Sequence, residues 1–127
     1  NGLAFSLDER RLYVADSGVT PDSDRRSHIR VLDVDGYSAV SRQDEVFAEL
    51  ASGAFDGLRL DEDGYLWAAA PDGVHCYAPE GDLVGVVRTS ERVANVCFGG
   101  LKRNRLFITA TTSLFSILLP VCGVKTF

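Results

Sequence analysis

Hydrophobic and polar positions alternate in short runs along most of this chain, and glycine-containing dipeptides separate the runs. The clearest case is Phe55-Asp56-Gly57-Leu58-Arg59-Leu60, followed by Asp61-Glu62-Asp63-Gly64 and then Tyr65-Leu66-Trp67-Ala68. Period-two alternation on either side of a turn signal predicts a strand, a tight turn and a second strand. Asp63-Gly64, Asp72-Gly73 and Glu80-Gly81 punctuate four such runs: Gly57 to Leu60, Tyr65 to Ala70, Val74 to Tyr77 and Leu83 to Val87. Four short strands joined by glycine-bearing turns are the pattern of a propeller blade.

The same frame occurs twice more. Asn1-Gly2-Leu3-Ala4-Phe5-Ser6 leads to Leu12-Tyr13-Val14-Ala15, and Asn95-Val96-Cys97-Phe98-Gly99 leads to Leu106-Phe107-Ile108-Thr109-Ala110. From head residue to the leucine of the second strand the steps are 11 (Asn1 to Leu12), 10 (Asp56 to Leu66) and 11 (Asn95 to Leu106). In the first repeat, His28 to Val34 and Val46 to Leu50 supply two further strands, although Glu45, Ala48 and Glu49 leave a helical turn open. Ser17 to Ser27 and Ser38 to Asp44 read as polar connections. In the third, Leu114 to Leu118 and Val121 to Phe127 complete the set. The expectation is one all-β, partial β-propeller domain over 1–127: three four-stranded blades at approximately 1–54, 55–92 and 93–127.

Composition narrows the function classes. With 127 residues and 46% hydrophobic content there is chain enough for one core. The net charge is −5 with scattered acidic groups, so nothing resembles the basic stripe that nucleic acid requires. Cys76, Cys97 and Cys122 are widely spaced and contain no C-x-x-C pair, so they read as small buried thiols in a reducing compartment, the cytoplasm. The apolar run Leu114 to Val124 is too short for a membrane span of ~20 residues and contains Pro120. No leader-like segment is visible, and the lack of any methionine leaves open what precedes Asn1.

Candidate chemistry sits at the strand heads. A carboxylate at Asp56 and an amide oxygen at Asn1 are hard donors, the kind that Ca²⁺ or Mg²⁺ takes from scattered strand ends. Viewed alone, Asn1-Gly2 and Asp56-Gly57 are common turn dipeptides; the shared frame with a strand after each favours ligands. Asn95 reads as pocket lining or as a strand-end hydrogen bonder. Asp16 is a candidate to orient Asn1, against the simpler reading of a solvated strand end. Asp61-Glu62-Asp63-Gly64 and Asp33-Val34-Asp35-Gly36 lack the glutamate at the twelfth position of a calcium loop and read as hairpin turns. Trp67, Phe98 and Phe107 read as inter-blade packing, and His28 and His75 as blade surface.

The combination of Asn1-Gly2-Leu3-Ala4-Phe5-Ser6 with Leu12-Tyr13-Val14-Ala15-Asp16-Ser17, of Asp56-Gly57-Leu58 with Gly64-Tyr65-Leu66-Trp67, and of Val93 to Gly100 with Leu106 to Leu114 resembles the gluconolactonase/regucalcin (SMP-30) family. Bacterial sugar-lactone hydrolases are the nearest branch. The resemblance runs nearly end to end here and covers about the second half of the family's chains. It implies half of a six-bladed propeller, one divalent cation in the central channel, and hydrolysis of sugar lactones or related esters. It further implies that Asn1 and Asp56 are metal ligands, that Asp56 also acts as base, and that Ca²⁺, or else Zn²⁺, Mg²⁺ or Mn²⁺, polarises the lactone carbonyl. The family's other two ligands, an earlier Glu and Asn, have no counterpart in this sequence.

Two function classes follow. One is a metal-dependent lactonase acting on a small-molecule lactone or ester, its site completed by a second copy in a homodimer or by a preceding half. The other is a non-catalytic half-propeller scaffold. Neither nucleic acid nor membrane is expected as a partner.

Overall fold

The computed structural model describes residues 1–18, 26–36 and 39–125. Every element among them is a strand, and the strands fall into three antiparallel sheets. The first sheet runs β1 (Leu3–Phe5), β2 (Arg11–Asp16), β3 (His28–Asp35), β4 (Ala39–Glu49); the second runs β5 (Leu58–Leu60), β6 (Leu66–Ala70), β7 (Gly73–Tyr77), β8 (Leu83–Arg88). The third holds β9 (Val93–Gly99), β10 (Arg105–Ala110) and β11 (Leu114–Leu118). Each sheet is a meander in chain order, which makes it one propeller blade.

The blades stack through alternate side chains. Leu58, Leu66, Ala68 and Tyr77 of the second blade, with Phe55, meet Tyr13, Ala15, Ile29 and Ala48 of the first. From the opposite face, Trp67, Ala69, Val74 and Cys76 meet Val93, Val96, Leu106 and Ile108 of the third. The middle blade is covered on both faces, so β6 and β7 are buried at every position; the outer blades keep one face open and retain a visible alternation. Fully burying a side chain such as Phe55 or Leu58 stabilises by about 1.5–3 kcal/mol. The Trp67 and Phe98 rings meet edge to face with centroids 6.0 Å apart, as the expected inter-blade role requires.

The structure departs from the expected strands in two places. β4 begins at Ala39, opposite Asp35, and so takes in most of the segment expected to be a polar connection. Gly36, at φ +55°, turns the chain between β3 and β4. The third sheet has three strands among the described residues rather than four. Cys122 to Val124 leaves that sheet and lies along the inner edge of β5: Glu62 N–H donates to the Cys122 carbonyl at 2.8 Å, and Val124 N–H to the Leu60 carbonyl at 3.2 Å. The residue between them must be glycine, because a Cβ on Gly123 would sit 2.2 Å from Phe98 Cβ. The last two positions of the expected strand, Thr126 and Phe127, lie outside the described residues.

Candidate functional site

The inner strands β1, β5 and β9 lie side by side, and two backbone rungs lock their heads together. Gly2 N–H donates to the Asp56 carbonyl, and Gly57 N–H donates to the Ala94 carbonyl, each at 3.0 Å. These glycines are not turn formers. A Cβ on Gly2 would lie 2.3 Å from the Asp56 carbonyl oxygen, and one on Gly57 would lie 2.1 Å from Asn95 Oδ1. Close approach of the neighbouring blade is what demands glycine there.

Asp56 is held firmly by its backbone and loosely by its side chain. Its N–H donates to the Ala69 carbonyl at 3.0 Å and its carbonyl accepts from Gly2. Among the described residues no protein group donates a hydrogen bond to its half-buried carboxylate. Asp61 is the opposite case. Its buried carboxylate accepts from Asp63 N–H (3.0 Å), Tyr65 N–H (2.9 Å) and the Trp67 indole N–H (2.8 Å), which makes it a staple of the β5–β6 turn. The Asp61 to Gly64 segment is thus a hairpin turn and not a calcium loop.

Asn1 stands at the head of β1 on an exposed strand end. Its backbone nitrogen donates to the Ala15 carbonyl at 2.8 Å, and its side-chain Nδ2 donates to Ser17 Oγ at 2.9 Å. Ser17 in turn donates to the Phe55 carbonyl at 2.7 Å, and Phe55 N–H donates to Ser27 Oγ at 3.0 Å. Asp16, by contrast, accepts from Arg30 Nε and from Gly18 N–H, both at 3.2 Å. The group touching the Asn1 amide is therefore Ser17 and not Asp16, and nothing in the type or spacing of Ser17 along the chain signals that role.

Asn95 lies against Gly57, next to Asp56, and its Oδ1 accepts from the N–H of Val96 at 2.9 Å. Strand pairing shifts its place in the repeat by one residue. Gly2 and Gly57 pair with Ala15 and Ala69 through their carbonyls, whereas Asn95 itself pairs with Thr109. A bulge between Thr109 and Ala110 absorbs the extra residue. Ala94 is the counterpart of Asn1 and Asp56, and Asn95 occupies the glycine position.

Below these heads, β1, β5, β9 and the C-terminal segment enclose an open cavity of about 780 Å³ lined by Phe5, Leu12, Arg59, Phe98 and Val124 among others. Asn1 and Asp56 are not among its lining residues. Among the described residues no three His, Cys, Asp or Glu side chains gather. Asn1 and Asp56 nonetheless fit a hard cation in kind, as an amide oxygen and a carboxylate that accepts from no donor among the described residues.

His75, expected at the blade surface, is instead buried beside Phe55 and Tyr77, with Nε2 2.7 Å from Asp72 Oδ1 and Nδ1 3.2 Å from the Tyr77 hydroxyl. Burial raises the Asp72 carboxyl, yet the His75 bond and charge together with Arg88 bring it below its ordinary range. Burial, then the Asp72 charge, pushes Tyr77 up to about 12. Cys76 is likewise pushed up to about 12 by burial and by the Asp61 charge, so its thiol stays protonated and unreactive. Cys97 is exposed and Cys122 half-buried, so the three free thiols are not uniformly buried as expected.

Residues 1–112 match the family described as the SMP-30/gluconolactonase/LRE-like region. The chain belongs to that family. Its relatives include a gluconolactonase from Zymomonas mobilis, 33% identical over 97% of this chain and 35% of the relative. Among solved structures, the gluconolactonase from Xanthomonas campestris is 35% identical at a TM-score of 0.79, over 94% of this chain and 38% of that one. Regucalcin from Agrobacterium tumefaciens, described as a calcium-binding protein, shares the fold at a TM-score of 0.80 with 21% identity, over 98% of this chain and 47% of that one. The chain thus spans a third to a half of the length of these gluconolactonase and regucalcin relatives. No helix among the described residues is long and apolar enough to cross a membrane.

Proposed function

We propose that this chain carries half of the active site of a metal-dependent hydrolase of sugar lactones or related esters. Asn1 Oδ1 and the Asp56 carboxylate would hold the divalent cation, Ca²⁺ before Zn²⁺, Mg²⁺ or Mn²⁺, and Asn95 would line the substrate pocket. The observation that carries the reading is the contrast between two aspartates: Asp61 is saturated with donors, while Asp56 is fixed through its backbone with its carboxylate left open. A bound cation supplies Lewis-acid polarisation of the lactone carbonyl. The chain's own contribution is placement: Asp56 accepts the proton of the attacking water, and the rungs at Gly2 and Gly57 fix the distance between neighbouring heads.

Two protein oxygens are too few for Ca²⁺, which takes about 6–8. The remaining donors would be waters and protein oxygens beyond Asn1 and Asp56. A second copy or a preceding half of a longer chain would supply the latter, and either would cover Leu3, Phe5 and Leu7 at one end and Leu114 and Leu118 at the other, all exposed. Free thiols fit a reducing compartment such as the cytoplasm.

The test is metal-dependent thermal stability alongside lactone hydrolysis. Saturating Ca²⁺ at a hundredfold excess over the dissociation constant should stabilise by ~2.7 kcal/mol. Asp56→Ala should eliminate both readouts and Asp63→Asn should change neither. Equal responses of the two variants would remove Asp56 from the site. An absence of turnover and of stabilisation with any of the four metals would favour a non-catalytic scaffold.

A further inference from the structure

We infer that Ser17 is the positioning residue that decides which atom Asn1 presents to a ligand, and that the same hydroxyl couples Asn1 to Asp56. The inference rests on the metal-site reading above. A serine hydroxyl has one proton to give. Ser17 spends it on the Phe55 carbonyl, an acceptor that cannot return a proton, at 2.7 Å. Toward Asn1, 2.9 Å away, Ser17 Oγ can then only accept. An Asn amide is otherwise free to swap its oxygen and nitrogen by a half-turn about its last side-chain bond. Here the swap would set Asn1 Oδ1 against a lone pair of Ser17 Oγ, so the NH₂ group stays on Ser17 and Oδ1 is the atom left to a ligand.

The carbonyl that receives the Ser17 proton belongs to the residue just before Asp56. The same Phe55 residue is gripped on its other side, its N–H by Ser27 Oγ, which itself donates to the Asp16 carbonyl at 2.9 Å. Ser27 and the Phe55 side chain are both fully buried. Two serines of the first blade therefore hold the backbone that enters Asp56, and only one of them touches Asn1. A partner that orients a metal ligand typically costs 10–100-fold in metal affinity when removed.

The experiment compares wild type, Ser17→Ala, Ser27→Ala and Asp56→Ala in the full chain by Ca²⁺ titration calorimetry and by ¹⁵N NMR of the Asn1 side-chain NH₂. The NMR is done without metal. Ser17→Ala should move the Asn1 NH₂ signals, speed their exchange with water and weaken Ca²⁺ binding by ~10-fold or more. Ser27→Ala should lower thermal stability and leave the Asn1 NH₂ signals in place, because Ser27 Oγ bonds Phe55 N–H and the Asp16 carbonyl and does not touch Asn1. Ser17→Ala signals that match wild type would overturn the assignment, as would shifted signals with unchanged affinity. If wild type and Asp56→Ala both fail to bind Ca²⁺, Zn²⁺, Mg²⁺ or Mn²⁺, the metal reading falls by that result, and a Ser17→Ala spectrum unlike wild type would still uphold the amide orientation.

Discussion

Removing the Asp61 carboxylate should cost this fold more than any change at its candidate ligands. The three donors that converge on Asp61 differ in what becomes of them. Asp63 N–H and Tyr65 N–H are half-exposed turn groups that water can reach in an alanine variant, so each lost bond costs ~0.5–1.5 kcal/mol. The Trp67 indole N–H is buried between blades and is left without a partner, which costs ~1–3 kcal/mol. Asp61→Ala should therefore destabilise by about 2–6 kcal/mol, a large share of a typical total of about 5–15 kcal/mol.

Asp61→Asn separates the contributions. Its amide oxygen can keep both turn bonds, which leaves its NH₂ facing the indole N–H, donor against donor. Neutralising the carboxylate also relieves the cost of burying a charge, so the single variant mixes two effects of opposite sign. A double-mutant cycle with Trp67→Phe isolates the bond, with an expected coupling of ~0.5–3 kcal/mol. Urea unfolding followed by far-UV circular dichroism serves all four proteins; Trp67, the single tryptophan, reports the same transition by fluorescence where it is present. A loss under ~1 kcal/mol for Asp61→Ala, with no measurable coupling to Trp67, would refute the account of Asp61 as a buried staple.

Glu91 reaches from the loop before β9 to the β10–β11 turn, accepting from Thr112 N–H (2.7 Å), Thr112 Oγ1 (2.8 Å) and Ser113 Oγ (2.8 Å), and these bonds, the Thr112 backbone first, hold its carboxyl below the ordinary 4.5. A lowered folded value contributes stability above pH 4.5 that is lost as pH falls through that lower value. Melting temperatures of wild type and Glu91→Gln should accordingly differ at pH 7 and converge as pH falls below 4.5 and through the lowered value; a gap that stays constant would exclude the carboxylate as its source. The uncovered faces at Leu3 and Phe5 and at Leu114 and Leu118 predict that the chain alone self-associates, and that Leu3→Asp with Phe5→Ser reduces this in light scattering; a monodisperse wild-type monomer would end the second-copy reading.

How much of this was legible in the residues follows from how each signal arises. The middle blade was read strand for strand, because Asp63-Gly64, Asp72-Gly73 and Glu80-Gly81 mark real turns and Gly64, Gly73 and Gly81 all adopt positive φ. The start of β4 was missed, since its residues carry no alternation and the hydrogen bonds to β3 decide the matter. The strand expected over Val121 to Phe127 is not one among the described residues, because an apolar run shows that a segment is buried but not against what, and the segment at Gly123 joins the end of β5 instead of β11. Asn95 is one residue out because counting along the chain cannot see that the β9–β10 connection is longer: Phe98 pairs with Leu106 8 residues on, against 7 from Phe5 to Leu12 and 6 from Leu60 to Leu66.

The candidate site was legible in a more restricted sense, and the glycines show why. Asn1-Gly2 and Asp56-Gly57 have the composition of turns, yet neither glycine takes a positive φ; each is small because another blade's backbone or side chain occupies the space of its Cβ. Spacing could mark the heads as equivalent, since equivalent positions on successive inner strands recur at regular intervals. It could not reveal that the peptide after each head is bonded to the neighbouring blade, a contact that joins Gly57 to Ala94 and Gly2 to Asp56 across long stretches of chain. The same holds for Ser17, whose role depends on a carbonyl 38 residues away. Sequence periodicity reports what repeats within a blade, whereas the features that fix Asn1 and Asp56 lie between blades, where a single hydroxyl or a missing Cβ sets the geometry.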